Sequence, residues 1–207
     1  GRHAVVEFGA SLEEDLARRD FTINAIAYSP TRDELRDPFG GRDDLARGIV
    51  RAVGVPQERM REDRLRALRA IRFAARYEFT IEPTTWQAIV DSAPHLTRLS
   101  PERVQQELQK TMEQVARPGT ALRLWRDAGA LAVLVPALGA VDDATLATLD
   151  CLPAPGRTTR VERRSARVLA RMAALFTATA SDEARAAMKA LRFSNADLQW
   201  VTALVDR

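Results

Sequence analysis

The sequence predicts an α+β fold in which a small mixed sheet with helices is followed by an all-helical part. Short apolar alternations separated by turn residues fill positions 1–54. Beyond them the apolar residues recur at helical spacing, and no convincing strand appears. The length of 207 residues and the 46% hydrophobic content are sufficient to bury a core.

The first part opens on a short apolar strand. The spacing of its apolar residues then changes to that of a helix and, from Phe21, back to that of a strand. Ser11 and Glu14 have the spacing of a capping box, which predicts a helix start. From Phe21 onward apolar residues alternate, which is typical of a strand. The predicted elements are a strand at 5–8, a helix at about 12–19, strands at 21–27 and 35–37, a helix near 42–47 and a strand at 49–53.

The second part is predicted to contain helices only. Ser100 and Pro101 mark one helix start, as an N-cap followed by proline at the first helical position. The predicted helices cover 61–79, a segment from 83, a segment from 101, 119–129, 130–135, 160–178 and 182–206, with a loop at 151–159.

Composition excludes several classes of chemistry. Cys151 is the only cysteine, so neither an internal disulfide nor a thiolate metal cluster is expected, which fits a cytoplasmic protein. His3 and His95 are the only histidines and lie far apart, which disfavours histidine-based catalysis. No apolar run reaches the ~18–20 residues of a membrane helix, so no membrane partner is expected. A net charge of +3 permits a polyanionic partner.

The stretch REDRLRALRAIRFAARY at 61–77 carries the strongest signal. On one helix, Asp63, Arg66, Arg69 and Arg72 would form a stripe, because they are spaced by three residues. Successive arginines repel one another unless an anion faces them, and guanidinium groups bind phosphate oxygens in bidentate fashion. The alternative is a solvated charged face.

Asp63 and Arg66 together predict base recognition. A carboxylate accepts from an exocyclic amine, and a guanidinium donates to a ring nitrogen. Adenine and cytosine present that amine beside that acceptor, whereas guanine and uracil present the reverse order. A mismatched base would leave buried polar groups unpaired at about 1–3 kcal/mol each. The pair would therefore accept A and C.

With these motifs the sequence resembles the class II tRNA nucleotidyltransferases (CCA-adding enzymes) and the bacterial poly(A) polymerases. The matching stretches occur in the order and spacing of that family. They are DLARRDFTINAIAY (15–28), DPFGGRDDLARGIVRAVG (37–54), EDRLRALRAIRFAARY (62–77), SPERVQQELQK (100–110) and LRFSNADLQWVTALV (191–205).

The resemblance implies nucleotide-binding roles for six residues. Arg19 and Asp20 would hold the nucleotide and sense its ribose, with an ion pair that fixes a helix–strand corner as the alternative. Asp63 and Arg66 would act as an amino-acid template for CTP and ATP. The helical arginines that follow, Arg69 and Arg72, would also contact the nucleotide.

The resemblance also implies a division of the chain. Residues 1–54 would be part of a nucleotidyltransferase head domain, 55–115 a helical neck that recognises the nucleotide, and 116–207 a helical body that binds tRNA. Arginines at 160, 163, 164, 167 and 171 would give that body a basic face, although a solvated face is an equal alternative. The stretch 37–41 is predicted to be a tight turn, with a hinge as the alternative.

The main departure from the family concerns its metal site. Members carry an Asp-x-Asp pair that holds two Mg²⁺ ions, and this sequence contains no Asp-x-Asp. The chain is therefore expected to be a fragment without catalytic or metal-binding residues of its own, inactive alone, with Mg²⁺ held by residues outside it.

The resemblance implies CCA addition to the tRNA 3′ end from CTP and ATP, and it assigns no oligomeric state. A poly(A) polymerase, or a relative that adds only CC or only A, is the nearest alternative. A non-catalytic RNA- or nucleotide-binding helical module is an alternative of another class, and a helical scaffold is the third.

Overall fold

The computed structural model describes residues 11–153, 160–161 and 164–206. The strand predicted at 5–8 lies outside these residues. The first part of the chain contains α1 (Leu12–Ala17), a 3-10 helix (Thr22–Asn24), β1 (Ala27–Ser29), β2 (Glu34–Arg36), α2 (Gly41–Arg47) and β3 (Ile49–Val50).

The remainder is mostly helical, and the predicted α+β class is confirmed. The next segment contains α3 (Pro56–Glu62), α4 (Leu65–Tyr77), β4 (Thr80–Ile81), α5 (Pro83–Ser92), a 3-10 helix (Ala93–Arg98) and α6 (Pro101–Gln114). The last segment contains α7 (Pro118–Asp127), α8 (Ala130–Leu134), a 3-10 helix (Pro136–Leu138), α9 (Asp143–Cys151), β5 (Arg160–Val161), β6 (Arg164–Ser165), α10 (Ala166–Leu175), α11 (Ser181–Ala190) and α12 (Asn195–Val205).

The segment 21–27 was predicted to be a strand, and that prediction is wrong. Phe21 forms a single antiparallel bridge with Ala52, and the chain then winds into the 3-10 helix. The Thr22 hydroxyl donates to Asp44 Oδ2 at 2.7 Å, and Ala25 N donates to Thr22 O at 2.9 Å. These two hydrogen bonds, one to the distant Asp44 and one within the segment, take the backbone out of the extended conformation. The hairpin of β1 and β2 begins only afterwards.

Strands also occur beyond residue 54, contrary to expectation. β4 pairs in parallel with β3, with Ile49 opposite Thr80. β5 and β6, of two residues each, pair antiparallel inside the segment predicted as helix 160–178. Periodicity cannot reveal strands of two residues, because they are shorter than any window in which it is measured.

One main hydrophobic core extends from Phe21 to Val201 and joins the first part to the helices that follow. A smaller cluster is formed by Leu16, Ala25 and Val53. Within the helical part, α7 packs on α9, α3 on α5, and α10 on α12. None of the helices in the described part of the chain combines the length and apolar character needed to cross a bilayer.

The helix predicted over 61–79 is divided at Asp63. This residue has φ −144° and ψ 105°, so it is extended between α3 and α4. Its carboxylate accepts from Leu65 N at 3.1 Å, and its carbonyl accepts from Arg66 N at 3.1 Å. An aspartate satisfies free N–H groups at a helix start well, which explains the break. Asp63 therefore does not continue the helical arginine stripe.

The helix predicted over 182–206 is also divided. Arg192 has φ +62°, and Ser194 forms a capping box with Asp197 that starts α12. The S-x-x-D pattern at 194–197 was a detectable signal of this start.

Of the five arginines predicted to form a basic face, Arg171 does not lie at the surface. Arg160 and Arg164 lie in strands, and residue 163 lies outside the described residues. Arg171 is fully buried and donates to carbonyl oxygens at the ends of α6 and α9. These acceptors are Met112 O, Val115 O, Ala116 O and Leu152 O, at 2.7–3.0 Å.

The turn predicted before α2 is present. The Asp37 carboxylate accepts from Gly41 N at 2.7 Å and from Arg42 N at 2.9 Å, so it caps the helix. A Cβ atom on Gly41 would lie 2.1 Å from Thr22 O, so the close approach of α2 to the 3-10 helix requires glycine.

Candidate nucleotide-binding site

Asp20 is held between two arginines of α4, and we call these three residues the Asp20 clamp. Arg66 Nε donates to Asp20 Oδ1 at 2.9 Å, and Arg69 Nε donates to Asp20 Oδ2 at 2.6 Å. The two arginines are three residues apart on the helix, so their side chains lie on the same side. The side chains of Asp20, Arg66 and Arg69 are 19%, 12% and 29% exposed. The clamp thus joins two motifs that lie more than 40 residues apart.

α3 braces the clamp from a second direction. Arg59 Nη2 donates to the carbonyl oxygens of Arg18 and Arg19, both at 2.7 Å. Glu62 accepts from Arg59 and, at 2.6 Å, from Arg66 Nη1. The carbonyl groups at the end of α1 are thereby satisfied by a cation, which suits the negative end of a helix.

Arg19 lies next to the clamp in sequence but points elsewhere. Its guanidinium donates to Asp15 at 2.6 Å, and the two side chains are 52% and 53% exposed. Such a surface ion pair contributes little to stability and is easily exchanged. The side chain of Arg19 is therefore accessible to a ligand.

Asp63 lines a groove of about 820 Å³ between the α3–α4 break and the start of α6, which we call the Asp63 groove. Its volume falls within the range of roughly 300–1,000 Å³ that small-molecule pockets have. Asp63 Oδ2 accepts from Arg103 Nη2 at 2.7 Å. Arg61, Arg64 and Arg98 also line the groove, together with Glu62. Its lining therefore contains four guanidinium groups and two carboxylates.

The electrostatics of the Asp63 groove favour an anionic ligand. Partial desolvation raises the pKa of the Asp63 carboxyl, but hydrogen bonds from Arg103 and Leu65 and the charges of Arg103 and Arg66 outweigh it. The net pKa is below the ordinary value of 3.8, so Asp63 is ionised near neutral pH. Desolvation and the charges of Arg98 and Arg61 lower the pKa of Arg64. Guanidinium groups that repel one another in this way gain from a nearby phosphate.

Arg72 lies in the core, away from this groove. Its Nε donates to Glu107, and its Nη1 donates to Gln114 at 3.1 Å. The side chains of Arg72 and Glu107 are 5% and 0% exposed. A nucleotide contact would require this buried ion pair to open, which disfavours the predicted nucleotide role of Arg72.

The resemblance implies magnesium, but the described residues do not fit it. Among these residues, no three Asp, Glu, His or Cys side chains come together to hold a metal ion. Asp20 and Glu62, the acids nearest the arginine cluster, both accept hydrogen bonds from guanidinium groups. We derive no chemical step through a metal from these residues.

Arg59 and Arg103 were not among the residues predicted to belong to the nucleotide-binding site. A signal for Arg103 existed in the sequence. It occupies the first turn of a predicted helix, where a positive charge is unfavourable unless an acid lies nearby. Arg59 gave no such signal, because its acceptors are backbone carbonyl groups of a distant segment.

Comparison with known proteins defines the class of this chain. Residues 1–51 match the family model described as the poly A polymerase head domain. Residues 78–141 match the model described as the probable RNA and SrmB-binding site of polymerase A. The two descriptions name a polymerase head domain and an RNA-binding site, which agrees with a small sheet that leads into a helical body and with the arginine-rich site.

Individual relatives narrow this class. The chain is 50% identical over 107 residues to the CCA-adding enzyme of Geobacillus stearothermophilus. These 107 residues make up 52% of this chain and 26% of that enzyme. Its structure resembles the Bacillus stearothermophilus CCA-adding enzyme in complex with CTP, with a TM-score of 0.77 and 36% identity over 97% of this chain and 49% of that one. It also resembles the Thermotoga maritima CCA-adding enzyme complexed with tRNA, with a TM-score of 0.68 and 25% identity over 91% and 45% of the two chains.

These matches make the chain similar to the class II CCA-adding enzymes. It spans about half the length of the solved relatives that it matches, 49% and 45% in the two cases.

Proposed function

We propose that this chain selects the nucleotide and binds RNA in a tRNA nucleotidyltransferase that adds CMP and AMP to the tRNA 3′ end from CTP and ATP. The observation that carries the proposal is the Asp20 clamp. It connects the RRD segment to the helix that starts beside Asp63, so that a ribose-sensing and a base-reading motif adjoin. The similarity to CCA-adding enzymes solved with CTP and with tRNA supports it.

Base choice in this proposal depends on Asp63 and Arg66. The ionised Asp63 carboxylate accepts the exocyclic amine of cytosine or adenine, and Arg66 donates to the ring nitrogen. Arg66 Nη2 makes a long contact of 3.5 Å with Arg18 O, so it is the donor that a base takes with the smallest loss. Guanine and uracil would leave these groups unpaired, at about 1–3 kcal/mol each.

The other charged residues have complementary roles. Asp20 and Arg69 keep Arg66 in place. Together with the exposed Arg19, they form the part of the nucleotide-binding site that faces the ribose. The guanidinium groups of Arg61, Arg64 and Arg98 in the Asp63 groove suit the triphosphate, because guanidinium groups bind phosphate oxygens in bidentate fashion. This division assigns base selectivity and general affinity to different side chains.

The proposal includes the domain division 1–54, 55–115 and 116–207, Mg²⁺ as cofactor and a cytoplasmic location. The magnesium ligands would be carboxylates other than those of the described residues. A chain with a single cysteine suits a reducing compartment.

Nucleotide titrations test base selection directly. Calorimetric titration of the 207-residue chain with CTP, ATP, UTP and GTP is expected to give tighter binding of CTP and ATP, by about tenfold or more. Asp63→Asn should reduce this preference while retaining much of the affinity. Glu34→Gln, which alters a partly exposed acid that pairs with Arg36 outside the groove, should change neither quantity. Equal binding of all four nucleotides would contradict the proposal, and absence of binding would favour a helical scaffold.

The reaction product distinguishes CCA addition from polyadenylation. Polyadenylation is the second candidate function because residues 1–51 match the poly A polymerase head domain. The complete protein is incubated with a tRNA that lacks its terminal CCA and with each nucleotide. Addition of two C residues and one A supports CCA addition. Long oligo(A) products from ATP alone would instead identify a poly(A) polymerase.

A further inference from the structure

The contact between Arg103 and Asp63 joins two helices that are distant in sequence. Arg103 Nη2 lies 2.7 Å from Asp63 Oδ2 across 40 residues. The side chains are 45% and 34% exposed, so the pair lies at the wall of the Asp63 groove and is accessible from it. A ligand in the groove therefore meets both groups.

The position of Arg103 is unfavourable without this contact. Arg103 is the third residue of α6, after Pro101 and Glu102. A positive charge in the first turn opposes the helix dipole. Among the residues that the structure describes, Nη2 is the only nitrogen of this side chain with a hydrogen bond. The location of Arg103 is thus accounted for by Asp63.

The Asp63 carboxylate is fixed at two points. Leu65 N donates to Oδ1 at 3.1 Å, and Arg103 donates to Oδ2. Because an ionised carboxylate has about four acceptor sites, two remain for a ligand amine. Two fixed donors on different oxygens restrict rotation of the carboxylate about its Cβ–Cγ bond. Without Arg103, only Leu65 N would define that rotation.

We propose that Arg103 is a positioning residue that orients the Asp63 carboxylate toward the exocyclic amine of cytosine or adenine, and thereby sets the strength of base selection. This inference rests on the proposed function of the Asp63 groove. Arg103 acts through Asp63 and not on the triphosphate. Its removal therefore alters the ratio of nucleotide affinities, whereas removal of a phosphate-binding arginine would weaken all nucleotides alike.

The test compares the ratio of the UTP and CTP dissociation constants in matched variants of the 207-residue chain. Arg103→Ala should lower this ratio by about five- to tenfold, the value of one oriented hydrogen bond. Arg103→Lys should restore at least half of the logarithmic loss, because an ammonium group also donates to the carboxylate. Arg36→Ala removes another half-exposed arginine, paired with Glu34 at 2.6 Å and outside the groove, and should leave the ratio unchanged.

A double-mutant cycle separates positioning from other effects. In the Asp63→Asn background, Arg103→Ala should cause no further loss of selectivity. Thermal unfolding checks that each variant is folded, and Arg103→Gln replaces Arg103→Ala if the smaller side chain prevents folding.

The outcomes distinguish this inference from the proposed function. If the wild-type chain is selective and the ratio of its UTP and CTP dissociation constants is unchanged in Arg103→Ala, only the positioning role is overturned. An equal loss of CTP and UTP affinity overturns it as well and assigns Arg103 to the triphosphate. A wild-type chain without base preference overturns both.

Discussion

Arg66 Nε donates to Asp20 Oδ1 at 2.9 Å and so connects two segments separated by 46 residues. The same carboxylate accepts from Arg69, and the same guanidinium donates to Glu62 and to Arg59 O. Each charge in this cluster therefore has an opposite charge or a carbonyl group within hydrogen-bonding distance. Such a network fixes the orientation of α4 against the first part of the chain.

Asp20→Asn should destabilise the fold by about 2 kcal/mol, because two largely buried guanidinium groups lose their shared anion. Urea unfolding followed by circular dichroism measures this change. Asp15→Asn is the control, since Asp15 pairs with Arg19 at the surface, and it should cost about 0.5 kcal/mol or less. Equal effects of the two variants would show that the Asp20 clamp contributes no more than a surface ion pair.

Arg72→Met should destabilise the chain by about 3–5 kcal/mol, because the buried Glu107 side chain would lose the guanidinium group that pairs with it. Adding Glu107→Leu to Arg72→Met should recover most of that loss. Arg76→Met serves as control, since its exposed side chain also bonds Gln114 but has no part in the buried pair. Unfolding free energies of the four chains provide the comparison. If Arg72→Met instead leaves stability unchanged and weakens all nucleotides equally, the original nucleotide role of Arg72 is restored.

Acidic pH should weaken the start of α5 through Glu82. Desolvation raises the pKa of Glu82, but hydrogen bonds from Thr84 and Thr85 outweigh it and lower the pKa from 4.5 to about 2. The ionised form is therefore favoured in the folded chain. Its contribution, at most about 3 kcal/mol, is fully present above pH 4.5 and is lost as the pH falls toward 2.

Unfolding free energies measured between pH 7 and pH 3 test this linkage. Glu82→Gln should be less stable than the wild type at pH 7, and its stability should fall less steeply below pH 4.5. Glu34→Gln alters an exposed acid paired with Arg36 and should retain the wild-type slope. Parallel curves for the wild type and Glu82→Gln would contradict the predicted role of the cap.

Gly41→Ala should cost more than about 2 kcal/mol, since the added Cβ atom would lie 2.1 Å from Thr22 O. That carbonyl group is held by Ala25 N within the 3-10 helix and cannot move freely. Gly139→Ala is the matched control, because its nearest atoms would lie at 3.2 Å. A shift in melting temperature that is the same for both variants would argue against a close approach at Gly41.

Local sequence signals were sufficient for most of the helices. The capping box of Ser11 and Glu14 and the proline at position 101 mark helix starts that the structure contains. These signals are short-range, because a cap depends on residues within one turn of the helix. Elements held together by distant partners were missed. β4 exists because Thr80 N bonds Gly48 O, and the segment after Phe21 bends because Thr22 bonds Asp44.

The sequence by itself determined the resemblance to CCA-adding enzymes, the α+β class and the residue types of the candidate site, since motif order, periodicity and charge are properties of the chain. Tertiary structure alone decided which charges meet. It brought Asp20 to Arg66 and Arg69, paired Asp63 with Arg103, and buried Arg72 against Glu107. A helical arginine stripe in the sequence carries no information about which acids face it, because those acids come from other helices and their approach depends on packing of the whole core.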